Sequence, residues 1–125
     1  MRQQLEPGPD HPITIERKPL PVRVSVAGEQ VLASSTYLEL REAAYPAVAY
    51  LPRTQVDMRG LERSELTTWC PYKGEAAYYH LRTADGVFIE NAVWTYETPF
   101  PAVAEIKDAL AVYTNKVDTI EIGPS

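Results

Sequence analysis

Between Ala76 and Tyr96, two runs rich in aromatic and β-branched residues flank Thr83-Ala84-Asp85-Gly86. Asp-Gly supplies the positive φ that a tight hairpin needs, so the segment is committed to a pair of antiparallel strands. A loop of two or of four residues leaves the face assignment unchanged, because the two registers differ by two positions. One face then carries Tyr78, His80, Arg82, Ile89, Asn91 and Val93, and the other Tyr79, Leu81, Phe88, Glu90, Ala92, Trp94 and Tyr96. The second face is larger and more aromatic and is expected to point inward, with Glu90 as its one carboxylate.

The rest of the chain follows the same period. Val22, Val24 and Val26 alternate up to a turn at Ala27-Gly28-Glu29, and Val31-Leu32-Ala33 returns from it. Tyr37-Leu38-Glu39-Leu40 and Val48-Ala49-Tyr50-Leu51 are further extended runs, the latter stopped by Pro52, and Val117 to Ile122 is a last strand. Val103 to Ala111 is the one expected helix, with Val103, Ile106 and Leu110 at helical spacing behind Pro101. Five prolines between Pro7 and Pro21 argue against a helix or central strand there, so residues 1–21 read as a proline-rich arm over a single domain at 22–125. The expected fold is mainly β: compact antiparallel sheets of about five to seven strands, tent-like or a partly open barrel, with one short helix near the C-terminus.

Charge and composition narrow the function classes. A net charge of -5 with scattered basic residues gives no attraction for polyphosphate, so no nucleic-acid partner is expected. Apolar stretches fall far short of the roughly 20 residues of a membrane span, and residues 1–21 hold no apolar signal-peptide core, so the expected location is cytoplasmic. One cysteine excludes an internal disulfide and a cysteine-rich zinc site, and the two histidines share no ligand spacing. No metal and no cofactor are expected.

The segment Thr67-Thr68-Trp69-Cys70-Pro71-Tyr72-Lys73-Gly74 gathers an indole, a thiol, a phenol and an ammonium in one loop between strands. Cys70 is either a lysine-activated nucleophile or a small buried hydrophobe. Lys73 either holds an anionic ligand group or is a solvated turn residue, and no glycine-rich loop precedes it as a P-loop would require. Glu90, flanked on its face by Phe88, Ala92 and Trp94, is either a proton-transfer group of raised pKa or half of a structural pair with Arg53, Lys73 or Arg82. Eight tyrosines and two tryptophans are enough to line a ligand pocket, though residue by residue plain core is the favoured reading.

Thr68 to Gly74, Ala77-Tyr78-Tyr79, Glu90 to Tyr96, Tyr50-Leu51-Pro52-Arg53 and Tyr113 to Asp118 closely resemble a small bacterial and fungal family, domain of unknown function 427. The resemblance runs from Val22 to Asp118. It implies a compact antiparallel β fold similar to methionine sulfoxide reductase B and to the thalidomide-binding domain of cereblon. The zinc that those relatives hold with four cysteines does not carry over to a chain with one. Some labels in the family suggest nucleotidyl transfer, but no paired acidic residues for catalytic magnesium stand out here. Trp69 and Gln55 stand where the family often has histidine and an acidic residue.

Three functions are open at this level. The first is a small-molecule binding domain, with or without weak enzymatic activity, built around Tyr72, Lys73, Glu90, Trp94, Tyr96 and Arg53. The second is a thiol enzyme or redox sensor acting through Cys70. The third is an interaction module, or a homodimer, that offers an edge strand or the arm. The thiol reading expects alkylation of Cys70 in the folded protein at neutral pH as fast as in a free thiol peptide; protection of tenfold or more in an iodoacetamide time course removes it.

Overall fold

In the computed structural model, which describes residues 2–124, ten strands form three antiparallel sheets. β1 (Ile13–Lys18), β4 (Tyr37–Glu42) and β5 (Val48–Tyr50) make one, in the order β1-β4-β5. β2 (Val22–Val26), β3 (Glu29–Ser34) and β10 (Thr119–Ile122) make the second, in the order β10-β2-β3. β6 (Leu61–Cys70), β7 (Gly74–Arg82), β8 (Phe88–Thr95) and β9 (Leu110–Val112) make the third, in sequence order. Among the described residues none of these sheets closes into a barrel, and no helix is long and apolar enough to cross a membrane.

The strand count exceeds the expected five to seven because β1, β6 and β9 are not among the expected strands. β9 has only three residues, and β6, mostly exposed and polar, shows no alternation. β6 also takes in residues 67–70 of the expected loop, leaving only Pro71-Tyr72-Lys73 as the turn. β1 is one that proline content hid. It lies within residues 1–21 but is flanked, not interrupted, by Pro12 and Pro19, and it pairs with β4 as an edge strand.

The hairpin β2–β3 turns through Ala27 (φ 52) and Gly28 (φ 79), the doubly positive backbone of a two-residue turn. The hairpin β7–β8 differs from the expected register. Arg82 pairs with Phe88, which leaves the five residues Thr83 to Val87 in the loop. An odd loop length exchanges the matched faces, so Leu81 sits opposite Ile89 rather than sharing a face with Phe88 and Glu90. A bulge between Tyr79 and Leu81 then shifts the register again. It is held by Asn91 at φ 50, whose N–H donates to His80 Nδ1 at 3.0 Å.

Both faces of this hairpin are buried. Tyr79, Leu81 and Val93 pack with Val22, Val24 and Leu32 of β2–β3 in one core. Ala76, Tyr78 and Tyr96 pack with Leu40 of β4 and Tyr50 of β5 in a second. The inward and outward faces read from alternation are in fact two inward faces.

The expected helix at Val103–Ala111 does not form. Pro101–Ile106 is two tight 3-10 turns meeting at Val103 (φ -126, ψ 29), and Leu110 and Ala111 belong to β9. Val103 and Ile106 are completely buried, and the i, i+3 stacking of a 3-10 turn puts both on the same core without needing a nine-residue helix. Two more 3-10 turns, Arg53–Gln55 and Met58–Gly60, follow β5.

Arg53 ties these parts together. Its guanidinium donates to the Asp108 carbonyl at 2.9 Å, the Tyr79 hydroxyl at 3.3 Å and Thr95 Oγ1 at 3.2 Å. Thr95, completely buried, donates in turn to the Ala109 carbonyl at 2.8 Å. Beside it, Leu51 and Leu110 exchange two backbone hydrogen bonds that join β5 to β9. Arg53→Ala is expected to lower stability by about 3 kcal/mol in urea unfolding, and Arg53→Lys to restore little of it, because one ammonium cannot reproduce the fork.

Candidate functional site

Along β4, period-two geometry puts Leu38, Leu40 and Glu42 on one face, and Leu38 and Leu40 pack in the second core. Glu42 is thereby aimed at the same core, at the point where β4 ends and Ala43 takes a left-handed backbone (φ 48). The β6–β7 turn, Pro71-Tyr72-Lys73, delivers its partner. Gly74 at φ 107 closes that turn, with Lys73 accepting from Phe100 N–H at its carbonyl, and a Cβ at Gly74 would meet the Thr98 carbonyl at 3.4 Å.

Lys73 and Glu42 form a hydrogen-bonded ion pair, with side chains only 10% and 14% exposed. The second Glu42 oxygen meets His11 Nε2 at 2.7 Å, and the His11 ring stacks flat on Tyr72 at 3.8 Å between centroids. Burial alone would raise the Glu42 pKa. The hydrogen bonds from Lys73 and His11, and their charges, outweigh it and hold the carboxyl below its ordinary 4.5.

Above this pair lies a cavity of about 230 Å³. Tyr45, Tyr50, Tyr78, Trp94, Tyr96 and Tyr113 supply its aromatic walls, with Glu42 and Lys73 at its polar end. Trp94 faces Tyr78 across the β7–β8 pair, stands edge-on to Tyr50, and lies 4.5 Å from Tyr113 between centroids. Its indole N–H donates to the Tyr50 hydroxyl at 3.2 Å. The Tyr78 hydroxyl sits 2.9 Å from Thr68 Oγ1 and 3.4 Å from the Tyr113 hydroxyl. Burial drives the Tyr50 and Tyr96 phenols well above their ordinary 10, and with the Tyr78 hydrogen bond it pushes Tyr113 up to about 12. All three are neutral at physiological pH.

Of the residues singled out from sequence, Lys73, Trp94 and Tyr96 line this cavity, and Tyr72 supports it through His11. Cys70 packs partly buried against the second core. Arg53 does not line the cavity and is engaged with Asp108, Tyr79 and Thr95. Glu90 is exposed beside the β7–β8 bulge, because the odd loop groups it with exposed Phe88 and Arg82 rather than with Leu81. The carboxylate that pairs with Lys73 is Glu42. Its signal was present in the Leu38-Glu39-Leu40-Arg41-Glu42 alternation, where a carboxylate takes the next inward position after two core leucines.

A family model described as a domain of unknown function (DUF427) matches residues 14–123. The chain belongs to the DUF427 family. A comparison with curated proteins found no match. The DUF427 match extends past the Val22–Asp118 resemblance at both ends, taking in β10 and all of β1 but Ile13. It covers Glu42, Lys73 and every aromatic wall of the cavity, and leaves His11 outside. Among the described residues of this DUF427 chain, no group of three or more histidine, cysteine or acidic side chains is arranged to hold a metal ion.

Because the Glu42 pKa is lowered on folding, its contribution is present above about pH 4.5 and is lost as pH falls through the lower folded value. Glu42→Gln leaves the Lys73 ammonium buried without its partner and is expected to cost about 3 kcal/mol at pH 7. Urea unfolding should show that deficit shrinking steadily below pH 4.5, where the wild-type carboxyl is itself being protonated; a deficit independent of pH would refute the charge assignment.

Proposed function

We propose that this protein binds a small, flat, uncharged organic molecule in the aromatic cavity over the Glu42–Lys73 pair. The observation that carries this reading is the cavity itself: six aromatic side chains around a polar end, lined by residues from β4, β5, β7 and β8 that are far apart in sequence. Ligand sites combine apolar surface with a few placed polar groups; here the aromatic faces supply the first, and the phenol hydroxyls with the Glu42–Lys73 pair the second. The ionic groups favour a neutral ligand. Lys73 is already neutralised by Glu42, so capturing an anion would mean breaking a buried pair. The aromatic faces favour a planar body, and the neutral phenols favour hydrogen-bond acceptors on its rim.

A thermal-shift screen of neutral heteroaromatic and aryl-amide compounds tests this. A ligand at a hundred times its dissociation constant adds about 2.7 kcal/mol, a midpoint rise of several degrees for a domain of this size. The shift is expected to vanish in Trp94→Leu while that variant still melts cooperatively. If no neutral planar compound shifts the wild type, or if every hit survives Trp94→Leu, the assignment to this cavity is wrong.

A further inference from the structure

Trp94 and Tyr113 each belong to two walls. Beside the small cavity lies a second of about 460 Å³, and Tyr45, Pro46, Val48, Trp94 and Tyr113 line both. The larger cavity is a hydrocarbon trough. Val22 and Val24 of β2, Leu51, Val112, Ile120 and Ile122 face it. Glu39 is the one charged side chain among its lining residues, and Glu39 accepts from Arg41 Nε at 3.0 Å. Together the two cavities reach the size of ordinary ligand sites, roughly 300–1,000 Å³, which the smaller does not reach alone.

The two ends ask for different chemistry. At the small end the charges cancel, and the Tyr50 hydroxyl, already accepting from the Trp94 N–H, keeps its own hydrogen to donate. The raised pKa values of Tyr50 and Tyr113 keep those donors protonated at neutral pH. Neutral donors in a charge-balanced site suit a carbonyl or amide oxygen, whereas a carboxylate or ammonium would find no free counter-charge. At the large end mostly aliphatic walls suit hydrocarbon.

Building on the binding reading above, we infer that the two cavities form one bipartite site for a neutral amphiphile. Its carbonyl- or amide-bearing head lies among Tyr50, Tyr78 and Tyr113, and its hydrocarbon chain passes Trp94 into the trough between β2 and β9.

Trp94, shared by both walls, is the reporter. In a Trp69→Phe background, where Trp94 is the only tryptophan, the emission is titrated with benzamide, 4-butylbenzamide, 4-octylbenzamide and 4-octylbenzoate. All three amides are expected to perturb Trp94. Affinity should climb by about fourfold per methylene over the first carbons, following the transfer free energy of a buried methylene, and the benzoate should bind at least tenfold more weakly than its amide. Ala49→Phe, which fills the trough, should abolish the chain-length dependence and keep benzamide binding. Equal affinity of benzamide and 4-octylbenzamide, equal affinity of amide and benzoate, or a chain-length dependence that survives Ala49→Phe each overturns the amphiphile assignment. Benzamide binding alone leaves the aromatic-cavity reading standing. No response to any of the four compounds overturns both.

Discussion

Tyr79, Leu81 and Val93 are buried on one side of the β7–β8 pair, and Ala76, Tyr78 and Tyr96 on the other, so this hairpin exists only with a layer against each face. That requirement organises the molecule. β2–β3 covers one face with valines and a leucine, and β4–β5 covers the other with Leu40 and Tyr50. Arg53 and the Leu51–Leu110 backbone pair stitch the covering layer to the central sheet. Each face is too short to hold the fold alone, and the shared sheet makes the two cores one cooperative unit.

The second core is where packing gives way to a site. Its aromatic side chains leave space between Trp94, Tyr113 and the end of β4. Into that space the fold brings an ion pair whose members cost free energy to bury unless both are present and hydrogen-bonded. Glu42 satisfies this with Lys73 on one oxygen and His11 on the other, so the turn after β6 and the segment before β1 are both fastened to the cavity floor. A polar floor held from three directions is preorganised, and binding there spends little on ordering side chains.

Much of this was legible in order along the chain. The hairpin β2–β3, the run into β4 and the paired runs that became β7 and β8 follow from period-two alternation and from Ala27-Gly28 and Asp85-Gly86. Lys73 was recognisable as a site candidate from its place in a Pro/Gly-bounded turn, and Trp94 and Tyr96 from the aromatic face of their strand. Glu90 was misplaced because one odd-length loop exchanges the matched faces of the hairpin and leaves no mark in composition. The missing helix has a similar origin. Val103, Ile106 and Leu110 fit a helical period, but Leu110 pairs with Thr95 instead, and a neighbouring strand competes with any local preference.

By itself the sequence determined what is local or additive: a β-rich chain with short turns, its family, a net charge of -5, and a single thiol. Only the tertiary structure decided which carboxylate meets Lys73, that both faces of β7–β8 are interior, and that Trp94 stands between a phenol-lined cavity and a hydrocarbon trough. Those outcomes depend on register and on the juxtaposition of segments remote along the chain. Glu42 and Lys73 are 31 residues apart, and no periodicity within either segment encodes their meeting, which arises when β4 and the β6–β7 turn are pressed against the same buried face.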